Sequence, residues 1–358
     1  MDKNETKISL KYHNENAIIP TNEFMQMFML TNSNCKKINF LRDSIMFCSV
    51  KNIDNKSEIE IYWELVHLYK DIEVQQKILK MGKAILKNKQ IREKVKRFST
   101  FTREEILMYL ILFNHYVENK EHIDENGNIV ISIKEIHCKY RNKTLKMYSQ
   151  IDNATYITYL KAINALGEKT IHINTSACKD KIPYIKKNDI YEINDKLLTY
   201  KSIKSKDETK VLGIRYNLGK FGDLLIISKR MTSKFPVELL ESSYKQIEQV
   251  FIGLYISKII YINQNKRKFN GTINLSIPSI MNNIMYYDKN GENTSQTLLQ
   301  RFNEKGKQNY KLIKNFEKIL KNVLELYKKH NFIMDFEVDS ISVANYKLKS
   351  TKAKIIVK

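Results

Sequence analysis

The sequence predicts a helix-rich α+β fold in which one order of elements, helix, strand, helix, helix, strand, strand, is written twice behind a mixed N-terminal region. Three observations predict it. Apolar residues recur at intervals of three and four over long stretches, as amphipathic helices require. Short β-type runs stand between those stretches, bounded by turn sequences such as Glu125-Asn126-Gly127-Asn128. Only 4 Pro and 10 Gly punctuate 358 residues, so long regular elements are expected. That length exceeds one ordinary core, and 42% hydrophobic residues suffice to fill more than one. The predicted divisions are a mixed α/β region over 1–97, a first unit over 98–235 and a second over 236–358.

In the N-terminal region, 8–12 and 45–50 have strand composition. Residues 58–97 are charged and helix-favouring, with apolar residues at Ile61, Leu65, Leu68, Ile72, Ile78, Leu79, Ile85 and Leu86. No role is legible there. The first unit opens at Thr102-Arg103-Glu104-Glu105, a capping box, with Ile106, Tyr109, Leu110 and Phe113 as the buried stripe of its helix. A strand over 129–133 and a short helix over 134–140 follow. Asp152 or Asn153 caps a helix over 154–166 that Gly167 stops. Two β-type runs, 170–173 and 189–193, complete the unit, and the polar stretch 198–210 is the best candidate linker. Residues 211–227 are strand-like around Gly219 and Gly222.

The second unit repeats the order, with no residue-level repeat visible. A helix over 244–262 places Ile247, Val250, Phe251, Leu254 and Ile259 toward a core. A strand over 271–275 leads to Ser276, which caps a helix with Pro278 in its first turn and Ile280, Ile284 and Met285 facing inward. A polar loop at 291–295 precedes a long helix over 307–330. Runs at 334–338 and 353–357 then pair as a hairpin with a long basic tip. Helix, strand, helix, helix, strand, strand is the order of a winged helix.

With 61 Lys and Arg against 39 Asp and Glu, the net charge of +22 suggests a polyanionic partner. The chain is also rich in Asn and Ile, as a coding bias would make it, so the location of the charge matters more than its total. Residues 266–358 carry 18 Lys and Arg against 8 Asp and Glu, a net of +10. In the long helix Ile313, Phe316, Leu320, Val323, Leu324 and Tyr327 form an apolar stripe, which turns Lys311, Lys314, Asn315, Lys318 and Asn322 outward in one row. A helix lying in a DNA major groove needs this mixture: lysines reach phosphates or guanine edges, and an Asn amide pairs bidentately with adenine. Arg301, Lys305 and Lys307 precede the helix, and Lys347, Lys349 and Lys352 occupy the hairpin tip, where phosphate contact is expected. In the first unit, Thr155, Thr158, Tyr159, Lys161 and Ala162 are the outward residues of the 154–166 helix, opposite Ile157, Leu160, Ile163 and Asn164. Lys139, Arg141, Lys143 and Lys146 just before it are phosphate candidates.

Other chemistries lack their residues. Cys35, Cys48, Cys138 and Cys178 form no C-x-x-C pair, which signals neither a zinc knuckle nor a disulfide framework and fits a reducing compartment. None of the seven histidines stands two residues from another, so the His-x-His pair of a rolling-circle nuclease is missing. The segment from Gly213 to Lys220 has five residues between its glycines and Phe221 after the lysine, where a phosphate loop needs Ser or Thr. His137 beside Cys138 has no further metal ligands in sequence. No signal peptide stands at the N-terminus, and the apolar run 250–262 is too short for a bilayer and broken by Ser257 and Lys258. A cytoplasmic, non-enzymatic DNA-binding protein without metal or cofactor is expected.

Two stretches carry a family resemblance. Leu239-Leu240-Glu241-Ser242-Ser243-Tyr244 with Val250-Phe251-Ile252-Gly253-Leu254-Tyr255 resembles the helix opening the second winged helix of iteron-binding plasmid replication initiators. Phe316-Glu317-Lys318-Ile319-Leu320-Lys321-Asn322-Val323-Leu324 followed by Phe336-Glu337-Val338 resembles that family's recognition helix running into its wing. The likeness covers about residues 100–358 as architecture. Where the family commonly has an Arg-rich segment, Lys311, Lys314 and Lys318 stand here. The resemblance implies binding to direct repeats at an origin, local duplex opening, recruitment of a host initiator and helicase, and a homodimer held through the first unit. A winged-helix transcriptional or partition regulator and a phage replication organiser are the alternatives of the same binding class. A nuclease is the enzymatic one.

Overall fold

A computed structural model describes residues 16–20, 37–41, 44–54, 57–64, 101–141, 150–174, 192–220, 222–223, 232–241, 247–264, 269–287, 293–305, 310–339 and 352–357. Four strands come first: β1 (Asn16–Pro20), β2 (Lys37–Leu41), β3 (Ser44–Asp54) and β4 (Ser57–Glu64). β3 contains the strand predicted over 45–50. The helix predicted over 58–97 begins instead as β4, because Ile59, Ile61 and Trp63 alternate with Glu58, Glu60 and Tyr62 at the period of a strand. Residues 65–97 and the strand predicted over 8–12 lie outside the described residues.

Helix α1 (Arg103–Glu118) starts at the predicted capping box: Thr102 Oγ1 accepts the Glu105 N–H, and Glu105 Oε2 accepts the Thr102 N–H, each at 3.2 Å. Its burial is more than a stripe. Every residue from Glu105 to Tyr116 is buried, as a helix apolar on all sides requires. Next come β5 (Ile129–Ser132), α2 (Ile133–Arg141) and α3 (Asn153–Glu168), the last capped by Asp152, whose Oδ1 accepts the Thr155 N–H at 2.9 Å. Gly167 does not stop α3 but lies inside it. A Cβ there would come within 2.6 Å of the Tyr200 ring, so the glycine serves close approach.

β6 (Thr170–Asn174) and β7 (Glu192–Lys196) are the runs predicted to complete the first unit. They join β4 instead, in a five-stranded sheet ordered β2-β3-β4-β6-β7. The predicted linker supplies one completing strand and the strand-like stretch after it the other: β8 (Thr199–Lys204) pairs antiparallel with β9 (Val211–Asn217), and β9 pairs with β5. The physical reason for the misreading is plain. The hairpin projects, so β8 is exposed at every position except the half-buried Tyr200 and lacks the apolar alternation that marks a strand.

β10 (Thr232–Pro236) pairs with β1, and the single turn α4 (Glu238–Glu241) follows. The second unit runs α5 (Ile247–Gln264), β11 (Thr272–Ser276), α6 (Ile277–Asn282), β12 (Met285–Tyr287), β13 (Asn293–Thr297), α7 (Leu298–Lys305), α8 (Tyr310–Lys329), β14 (Asp335–Val338) and β15 (Lys352–Ile356). The predicted loop 291–295 therefore contributes a strand, β13, which pairs with β12. Two three-stranded sheets, β5-β9-β8 and β11-β15-β14, share the order first, third, second. A helix-rich α+β chain with small antiparallel sheets results.

A residue-level repeat is present after all. Ile129-x-Ile131-Ser132-Ile133-x-x-Ile136 matches Ile273-x-Leu275-Ser276-Ile277-x-x-Ile280, and all eight apolar side chains are buried. In each copy the serine ends the strand and caps the next helix: Ser132 Oγ accepts the Glu135 N–H at 3.0 Å and Ser276 Oγ the Ser279 N–H at 3.2 Å. Ser132→Ala and Ser276→Ala should each cost about 1 kcal/mol and add in the double variant, the sites being separate. Thermal melts of the three variants check this. A loss at one site alone would show that the two turns are not equivalent.

Candidate nucleic-acid interface

Helix α8 is fixed by its buried side. Phe316, Ile319, Leu320, Val323, Leu324 and Tyr327 are buried, which leaves Lys314, Asn315, Lys318, Lys321, Asn322 and Glu325 exposed. The Tyr327 hydroxyl donates to the Gly253 carbonyl at 2.6 Å and lies 2.5 Å from Ser257 Oγ, both on α5. Burial pushes that phenol far above its ordinary range, so it stays a neutral donor. The outward row predicted at Lys314, Asn315, Lys318 and Asn322 therefore faces solvent. Lys311 and Ile313 lie in the helix backbone, with side chains outside the described residues. Asn315, Lys318 and Asn322 have no side-chain hydrogen bond to another described residue. At the C-terminal end the basic side chains are tied to the body: Lys328 Nζ is 2.9 Å from Asp335, Lys329 Nζ 3.0 Å from Glu238, and His330 Nε2 2.8 Å from Glu238.

One acidic side chain interrupts the row. Glu317 is buried, with Lys321 Nζ at 2.8 Å and Lys314 Nζ at 3.4 Å. Burial pushes its carboxyl upward, but the Lys321 hydrogen bond and the charges of Lys321 and Lys314 outweigh that and hold it below the ordinary carboxylate range. Glu317 and Lys321 are not among the predicted site residues, although a Glu four residues before a Lys is a legible pairing signal.

Around α8, the Arg301 guanidinium lies 5.2 Å from the centre of the Tyr286 ring and 3.6 Å from Glu304, so it is partly engaged in holding α7 to β12. Lys305 ends α7 with its side chain outside the described residues, and Lys307, Lys347 and Lys349 lie wholly outside them. Lys352 is exposed at the start of β15, beside the predicted tip.

In the first unit the structure corrects the predicted face. Tyr159 is buried at 2% exposure, its hydroxyl 2.9 Å from His137 Nδ1, while Ile157 is 40% exposed. The Thr158 hydroxyl donates back to the Ala154 carbonyl at 2.9 Å. Helix α3 thus packs through Tyr159, Ala162, Ile163 and Leu166, leaving Lys161 exposed and Thr155 half-buried. Ranking Ile above Tyr as a core residue misplaced the face, because a tyrosine whose hydroxyl finds a partner buries well. Lys139, a predicted phosphate candidate, is buried instead, 3.0 Å from Glu118. Arg141 ends α2 with its side chain outside the described residues, as Lys143 and Lys146 are altogether.

The β8–β9 hairpin lies outside the predicted site residues. Lys201, Lys204, Lys206 and Lys210 are exposed along it. Its tip is held by side chains: the Lys210 N–H donates to Ser205 Oγ at 3.1 Å and the Thr209 hydroxyl to Asp207 Oδ2 at 2.8 Å. The Ser205 and Thr209 hydroxyls lower the Asp207 carboxyl to about 2. Arg215 of β9 is engaged by Asp124, its Nε donating to Oδ2 at 2.9 Å. Among the described residues, no group of three His, Cys, Asp or Glu is placed to hold a metal, and no helix is long and apolar enough to cross a membrane.

No family model and no curated protein matches the chain. Among solved structures, it is similar to the crystal structure of Pi initiator protein in complex with iteron DNA. The identity is 14%, over 70% of this chain and 91% of that one, with a TM-score of 0.37. A likeness that distant says nothing about which residues do what.

Two variants separate the surfaces. Replacing Lys204, Lys206 and Lys210 together by Ala should weaken duplex binding and leave the melting temperature unchanged. Lys139→Gln should leave duplex affinity unchanged and destabilise by about 3 to 5 kcal/mol, because it strands Glu118. Titration calorimetry and thermal melts on both proteins check this, and the reverse pattern would return Lys139 to the binding surface.

Proposed function

We propose that the chain binds double-stranded DNA sequence-specifically through two winged-helix units and initiates replication of a plasmid or similar replicon, without a catalytic step of its own. The observation that carries the binding is the exposed face of α8. Two amides and a lysine with no partner among the described residues, Asn315, Asn322 and Lys318, stand together on a helix whose rotation is fixed by a continuous apolar stripe. In a major groove Asn315 and Asn322 meet adenine edges, and Lys318 a guanine edge or a phosphate. The β8–β9 hairpin, and the β14–β15 hairpin with Lys352 at its described end, are the wings. They add backbone contacts that supply affinity and register more than sequence information. The shared sheet order and the repeated Ile-x-Ile/Leu-Ser-Ile-x-x-Ile turn support reading both units as one motif.

Initiation is the finer part of the reading. It rests on the likeness of the stretches beginning at Leu239 and Phe316 to the iteron-binding initiators, which implies repeated origin sites, duplex opening and recruitment of a host initiator and helicase. An origin-less DNA circle carrying the gene with its flanking repeats separates the readings. Persistence supports initiation, and loss of the circle with intact DNA binding leaves a regulator.

Binding through this surface should be salt-dependent. With about 6 to 8 phosphates met, the logarithmic slope of affinity on salt should be about −5 to −7. Asn315→Ala should lose about 1 to 3 kcal/mol on a footprinted site and little on random duplex. Phe316→Ala is the folding control and should destabilise by about 3 to 5 kcal/mol. A slope near zero would remove the DNA assignment. Full specific affinity in Asn315→Ala would mean that another face reads the bases.

A further inference from the structure

The flank of α8 differs from its centre. Glu317 has a side-chain exposure of 9%, against 43% for Lys314 and 45% for Lys321, and these lysines lie three residues before it and four after it. Each ammonium takes its own carboxylate oxygen, Lys321 on Oε1 at 2.8 Å and Lys314 on Oε2 at 3.4 Å. Lys318, one turn from both, has no such partner among the described residues. A carboxylate at this depth is poorly solvated and costly to leave without a cation. The two flank lysines therefore have a claim on them before any nucleic acid arrives.

We infer that Glu317 is a specificity-determining residue that holds Lys314 and Lys321 back from the phosphate backbone, so that α8 gains little from duplex of the wrong sequence. A phosphate on this flank must draw an ammonium from a carboxylate that it would leave stranded and face directly. Base edges met by Asn315, Lys318 and Asn322 carry no such cost. Discrimination then comes from a repulsive element as well as attractive ones. This rests on the DNA reading of α8 given above.

The test compares a random duplex with the footprinted site over a series of salt concentrations. E317Q is nearly isosteric and removes one negative charge. Its affinity for random duplex should rise about five- to ten-fold at about 0.1 M salt, with a salt slope steeper by about 1. Its gain on the footprinted site should be smaller, so the specificity ratio falls. Should E317Q melt below the parent, single lysine variants keep the question open to measurement. Lys318→Gln should weaken random-duplex binding, whereas Lys321→Gln, already neutralised by Glu317, should barely change it. An equal loss in the two lysine variants overturns the inference, as does an E317Q protein that binds random duplex no tighter than the parent. A parent with no salt-dependent duplex binding removes the DNA reading and this inference together, and is told apart from the other failures by that absence.

Discussion

The placement of α8 depends on how closely α5 can approach its neighbours, and that is decided at Gly253. A Cβ on this residue would lie 2.7 Å from the side chains of both Phe235 and Leu239, so glycine lets α5 seat against β10 and α4 without displacing them. The same residue's carbonyl accepts the Tyr327 hydroxyl. One position therefore holds α8, α5 and the β10–α4 passage together. An apolar stripe sets the rotation of a helix only to within the width of the stripe. The buried Tyr327 hydrogen bond, satisfied in one geometry, narrows that choice.

Charge is distributed by the same economy. A net charge of +22 invites a uniformly basic surface, yet several basic side chains are engaged by carboxylates of the fold. Lys139 neutralises Glu118, and Lys169 meets Glu105 of the capping box while its ammonium lies 4.5 Å from the centre of the Phe101 ring. Lys329 and His330 share Glu238. Among the described residues, the middle of α8 and the projecting β8–β9 hairpin each leave exposed lysines for a polyanion. The two surfaces differ in kind, since one mixes amides with lysines on a rigid helix and the other presents lysines on an exposed ribbon.

How legible an element was in the sequence followed from how it is buried. α8 has one apolar side and one polar side, so spacing alone located its outward row. α1 was legible through its capping box, although its near-complete burial was not. β8 was invisible because both of its faces meet solvent, and the run Thr199-Tyr200-Lys201-Ser202-Ile203-Lys204 has the composition of a linker. The strand pairs β6 and β7 looked like the natural continuation of the first unit because they come next in the chain. The pairing of β6 with β4, which carries β7 along, depends on residues more than a hundred positions earlier. The Ile-x-Ile/Leu-Ser-Ile-x-x-Ile repeat could have been found in the sequence, being short, regular and identical at its serine.

By itself the sequence determined the α+β class, the helix caps at Thr102 and Ser276, and the outward face of α8. Each depends on contacts within a few residues, so local spacing suffices to specify it. Only the tertiary structure decided that β8 and β9 complete the first sheet and that α3 turns Tyr159 inward. It likewise decided that Lys139 is buried and that Glu317 holds two lysines of the exposed row. Those outcomes depend on partners distant in the chain, or on how deep a side chain comes to lie, and neither quantity is written in the order of neighbouring residues.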